Sequence, residues 1–176
     1  MLKILNNLKS YIKNNIAQLL PSYFALVMAT GIVSIAANIF DFSVYSKPLF
    51  YFNIIAYFLL WIFLILRIIF YFPNLKRDFT DSSRSFGFLT LVAATSILGQ
   101  QFIIFEENYF IAKILYYLSF ALWLMLIYSL FTIVAIQENK LTLGKGMNAI
   151  WLLIVVSTAS VSILGTALVN RLEISE

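Results

Sequence analysis

The chain has 176 residues, of which 62% are hydrophobic and 11% charged, with a formal net charge of +4 and a mean hydropathy of +0.92. A soluble domain of this size cannot hide that much apolar surface, so the composition points to an integral membrane protein. With no Cys and no His, disulfides, thiolate or imidazole metal sites, Cys or His nucleophiles and His proton shuttles are excluded within the chain.

Residues 1–19 place Ile4, Leu8, Ile12, Ile16 and Leu19 at helical spacing, with Lys3, Lys9 and Lys13 elsewhere around the helix. That pattern suits an amphipathic segment lying on a membrane surface, and a frayed basic tail fits it equally. From residue 20 to 176 the charges cluster between five apolar stretches, each near the ~20 residues needed to cross a bilayer. The predicted spans cover 21–40, 49–72, 85–105, 110–136 and 149–169. Pro21 is placed to open the first, and Pro73 closes the second, with Arg67 near enough to its end to snorkel. Connections are short, so consecutive helices should be antiparallel neighbours.

Basic residues set the orientation. A cytoplasmic N-terminus puts Lys3, Lys9, Lys13, Lys76, Arg77, Arg84, Lys140 and Lys145 inside and only Lys47, Lys113 and Arg171 outside. The expected location is a cell membrane, N-terminus inside and C-terminus outside. The positive charge is explained by these flanks, and no nucleic-acid partner is called for.

The spans are of two kinds. The first carries Ser22, Ala25, Ala29, Thr30, Gly31, Ser34, Ala36 and Ala37, and the third and fifth are similarly rich in Gly, Ala, Ser and Thr. The second has a single small residue, Ala56, amid aromatics, and the fourth is built on Leu, Ile, Tyr, Phe and Trp123. Small residues let helix backbones approach in lipid, so spans one, three and five should be inner and spans two and four outer, facing lipid. Thr30, Ser34 and Ala37, then Gly87, Thr90 and Ala94, then Thr158, Ser162 and Gly165 each fall on one helical face. Such faces serve tight packing or line a narrow polar path. The candidate residues for either role are Thr30, Gly31, Ser34, Thr90, Ala94, Thr95, Gly99, Gln101, Thr158, Ser162 and Gly165. No Asp, Glu, Lys or Arg lies inside spans one, three or five. Proton- or sodium-coupled carriers usually keep such a group at depth, and an intramembrane enzyme would need an acid–base pair. Neither enzyme activity, a catalytic residue, a metal nor a cofactor is therefore expected. Hydroxyls and helix dipoles without carboxylates favour an anion.

Three blocks carry a resemblance: PSYFALVMATGIVSIA at 21–36, RSFGFLTLVAATSILGQQF at 84–102 and WLLIVVSTASVSILG at 151–165. In that order and spacing they resemble the tellurite-resistance/C4-dicarboxylate transporters and slow-type anion channels. The resemblance implies an all-helical, quasi-symmetric fold of about ten helices, odd ones around a pore and even ones outside. It also implies transport of chloride, nitrate, sulfite or small dicarboxylates as a channel or uniporter, and assembly as homo-trimers in the bilayer. This chain matches only the N-terminal half and has no counterpart of the ninth-helix Phe that plugs the family's pore. A second-half polypeptide or further copies of the chain are thus expected partners. The alternative is a non-transporting subunit that packs against or regulates another membrane protein.

Overall fold

The computed structural model describes residues 19–81, 84–136 and 149–174, so the expected amphipathic segment lies, except for Leu19, outside the described residues. Among the described residues all regular structure is helical. A 3-10 turn at Pro21–Phe24 leads into α1 (Ala25–Ile39), followed by α2 (Ser43–Phe70) and the short α3 (Phe72–Thr80). A second 3-10 turn, Ser85–Phe88, opens α4 (Leu89–Glu106); α5 (Tyr109–Ile136) follows, and a third turn, Ala149–Leu152, opens α6 (Leu153–Ile174). Four stretches, Pro21–Ile39, Ser43–Phe70, Ser85–Glu106 and Tyr109–Ile136, are long and apolar enough to cross a membrane; the apolar part of α6, Leu153–Val169, is shorter.

Local chemistry sets the joints. Pro21 sits in the first turn, where its missing N–H would have no acceptor. Asp41 ends α1 in the left-handed region at φ 61°, and the Phe42 N–H closes on the Ala37 carbonyl at 2.8 Å, a helix-terminating wrap. Glu107 does the same for α4 at φ 49°, with the Asn108 N–H on the Phe102 carbonyl at 3.1 Å. Asn108 Oδ1 then accepts the Ile111 N–H at 3.1 Å and starts α5. Helices α4 and α5 are thereby folded into a hairpin by two residues.

Helix α2 begins before Leu49, where the sequence suggests it should, and carries Pro48 within it. Pro48 lies near the helix start, where few intrahelical bonds are at stake. After Phe70 the chain leaves helical geometry at Tyr71, and Pro73 is accommodated in the first turn of α3.

Helix α4 is the centre of the packing: 72% of its apolar stretch is buried, against 22%, 28% and 17% for those of α1, α2 and α5. It packs against α1 on one flank and α5 and α6 on the other, with α2 laid over α1 and α5 against α6. Phe24, Val27, Tyr57, Leu64, Leu91 and Leu98 form one apolar cluster, and Phe86, Leu89, Val92, Leu126 and Leu130 another. Bulky side chains of α2 and α5, including Phe52, Ile55, Phe58, Leu124, Met125 and Tyr128, stay exposed.

Two expectations are corrected. Ala56 does not face outward with its helix; it is buried against α1 and α4 in the first cluster. Arg67 does not snorkel. It is 1% exposed and ion-paired to the equally buried Asp78 of α3, which also accepts from Arg84 Nη1 at 3.2 Å. The apposed α3 supplies a carboxylate, so the guanidinium has a partner without reaching water.

Candidate functional site

The candidate residues divide into three groups. Those of α4 are enclosed. Thr90 Oγ1 lies 2.7 Å from the Gly87 carbonyl and 3.1 Å from that of Pro21, and Thr95 Oγ1 lies 2.7 Å from the Leu91 carbonyl and 2.9 Å from the Tyr57 hydroxyl. Ala94 is fully buried. A Cβ on Gly99 would stand 2.7 Å from Leu164 Cδ2 of α6, so α4 and α6 touch there almost backbone to side chain. These hydroxyls complete local backbone bonds and stitch α4 to its neighbours.

The second group meets around Asn53 of α2, which is fully buried. Asn53 Nδ2 donates to Gln101 Oε1 at 2.7 Å, and Thr30 Oγ1 lies 2.5 Å from Asn53 Oδ1. Gly31 makes room for this amide pair: a Cβ there would stand 2.5 Å from Ile97 Cγ2 and 2.9 Å from Asn53 Nδ2. Gln101 Nε2 is buried without a hydrogen-bond partner. One turn on, Ser34 donates to the Ser46 carbonyl at 2.8 Å. Sequence reasoning missed Asn53, although a lone amide in a helix of bulky apolar residues is itself a signal, because an unsatisfied amide in lipid is expensive.

The third group is open. Thr158, Ser162 and Thr166 stand one turn apart on α6, all exposed, along a groove of about 330 Å³ walled by Tyr116, Phe120 and Trp123 of α5 and by Val161 and Gly165. Thr158 donates to the Ile154 carbonyl at 2.8 Å and accepts from Trp123 Nε1 at 3.0 Å; Thr166 donates to the Ser162 carbonyl at 3.0 Å. Ser162 Oγ has no hydrogen-bond partner among the described residues. Of the three hydroxyls it is the one not engaged within the described chain. Among the described residues no Asp or Glu lines the groove.

The structure therefore joins Thr30, Gly31 and Gln101 at one buried amide cluster and Thr158, Ser162 and Gly165 along one groove. Thr90, Ala94, Thr95 and Gly99 lie between them, inside α4's packing. The described residues hold no cluster of acidic side chains able to bind a metal.

Comparison with known proteins follows the same lines. The sequence model described as voltage-dependent anion channel matches residues 18–175. Over 112 residues the chain is 32% identical to an uncharacterized transporter of Methanocaldococcus jannaschii, a stretch covering 61% of this chain and 32% of that protein. The chain thus spans about a third of the length of the curated relative it matches. No solved structure matches.

Proposed function

The chain belongs to the voltage-dependent anion channel family, and we propose that it builds one side of a path carrying small anions across a cell membrane, as a channel or uniporter. The observation that carries this reading is the exposed hydroxyl row of α6, with Ser162 free to donate into a groove whose described lining has no carboxylate. An anion needs donors and the absence of negative charge, and a hydroxyl supplies a donor without holding the ion too tightly to leave. Chloride, nitrate, sulfite and small dicarboxylates all meet that chemistry. In this reading the shorter apolar part of α6 crosses the membrane along with the four long apolar stretches, with α1, α4 and α6 on the path side and α2 and α5 toward lipid. The path is closed by further copies of the chain, a trimer by family resemblance, or by a second-half polypeptide.

The test is anion flux through proteoliposomes loaded with a halide-sensitive dye. Chloride or nitrate should move down its gradient faster than in empty liposomes. A small water-soluble thiol reagent should block Ser162→Cys and leave Leu64→Cys, 5% exposed, unlabelled. Flux no greater than in empty liposomes, or flux indifferent to complete labelling at Ser162→Cys, overturns the proposal.

A further inference from the structure

Beside the hydroxyl groove lies a second cavity of about 300 Å³, between the N-terminal part of α5 and the far end of α6. The two share Tyr116 and Gly165 in their walls. A Cβ on Gly165 would stand 3.0 Å from Tyr116 Cε2, so the Tyr116 ring rests on bare backbone and forms the thin partition between them. Among the described residues Lys113 is the sole charged side chain in either lining. It is exposed and makes no ion pair among the described residues. Of the two acids nearest it in sequence, Glu106 accepts from the Tyr51 hydroxyl of α2 at 3.0 Å and Glu107 is exposed at the hairpin joint; neither lines the cavity.

We propose that Lys113 heads an anion-collecting antechamber that opens past Tyr116 onto the Ser162 groove. This rests on reading α6 as one wall of an anion path and adds where the ion is gathered. The described lining carries one positive charge, that of Lys113, with Tyr117 and Leu168 as largely apolar walls. Low-dielectric walls focus the field of a single ammonium and raise the local concentration of counter-ions. The volume holds on the order of ten waters at ~30 Å³ each, so a chloride or nitrate enters with much of its hydration. It would meet the bare hydroxyl of Ser162 only after passing the Tyr116 ring. Collection and passage are thus separated, the first by charge and the second by a neutral donor that lets the ion go.

The test reads local potential and needs no transport. Because the chain has no cysteine, Leu168→Cys reports on this cavity alone, through its reaction rates with negatively and positively charged methanethiosulfonates in a neutral maltoside detergent. The negative-to-positive rate ratio should fall about threefold or more on Lys113→Gln, as expected for removing one partly screened charge, and recover in Lys113→Arg. Added nitrate should slow the negative reagent in the parent protein and not in Lys113→Gln. A ratio unmoved by Lys113→Gln, or moved equally at the distant exposed position Ile55→Cys, overturns the antechamber. If phosphatidylglycerol abolishes the Lys113 effect and nitrate does not, the ammonium belongs to a lipid headgroup and the proposal also fails. A normal ratio shift without any flux in liposomes would sink the anion path and leave the binding site standing.

Discussion

Glycine and amide chemistry decide how closely α1, α2 and α4 approach. At Gly31 an added methyl would stand 2.5 Å from Ile97 Cγ2 and 2.9 Å from Asn53 Nδ2, closer than side chains tolerate. Gly31→Ala should therefore lower the melting temperature in detergent, and Ile97→Leu, which removes the offending Cγ2, should restore part of the loss. Full additivity of the two substitutions in a double-mutant cycle would show that the contact is not the cause. Arg67 and Asp78 give a second residue-scale outcome. With both side chains at most 3% exposed, Asp78→Ala leaves a guanidinium buried and unpaired and should cost about 3–5 kcal/mol, whereas Arg67→Met with Asp78→Leu should cost far less. Chemical denaturation of the two variants checks the order; Asp78→Ala as stable as the double would contradict it.

At the scale of elements, the sequence was most legible where a signal is local. Pro21 and Pro73 act on their own turns, and the helix limits beside them follow; Asn108, which starts α5, is an equally local signal that the sequence reading passed over. Which flank of a bulky helix turns inward is not local. Ala56, Asn53 and Arg67 all sit on the buried side of α2, and each is fixed by a partner from another helix: the α1 and α4 cluster, Gln101 and Asp78. The hydroxyl faces were ambiguous for a related reason. Gly87, Thr90 and Ala94 make the same kind of small-residue face as Thr158, Ser162 and Gly165, yet α4 lies between two pairs of helices while α6 keeps a free flank. The glycines then distinguish the interfaces. Gly99 faces the end of the Leu164 side chain, and Gly165 faces the Tyr116 ring. Leu at either should weaken the packing of α6, since a larger side chain is forced into space that Leu164 or the Tyr116 ring already fills, while Leu at the exposed Ile55 should be neutral within about 0.5 kcal/mol. Thermal unfolding of the three variants measures it. If Ile55→Leu were as damaging as Gly99→Leu, the central placement of α4 would be wrong.

For the whole molecule, the α4–α5 joint at Glu107–Asn108 and the chain just before Ser85 stand at opposite ends of α4, so reporters inserted at the two places must fall on opposite sides of any membrane α4 crosses. The excess of Lys and Arg near Ser85 should put that end in the cytoplasm, and a reporter on the wrong side at either joint overturns the orientation expected from the charges. Energy coupling depends on the same geometry. A proton-driven carrier needs a group that gains and loses charge within the path. The Ser162 groove has only hydroxyls and an indole, and its neighbouring cavity adds Lys113 and tyrosines. The one enclosed carboxylate among the described residues, Asp78, is held between Arg67 and Arg84 at the end of α2, away from the α5–α6 groove. Anion flux should then follow the anion's own electrochemical gradient, and an imposed pH gradient should drive no accumulation. Proteoliposomes with equal anion inside and out, given an acid exterior at clamped zero voltage, make the measurement. Accumulation under those conditions would refute a passive path. If Asp78→Asn abolished it in a protein that still folds, the pair with Arg67 would be its proton site and the path would run along α2 and α3 instead of α6.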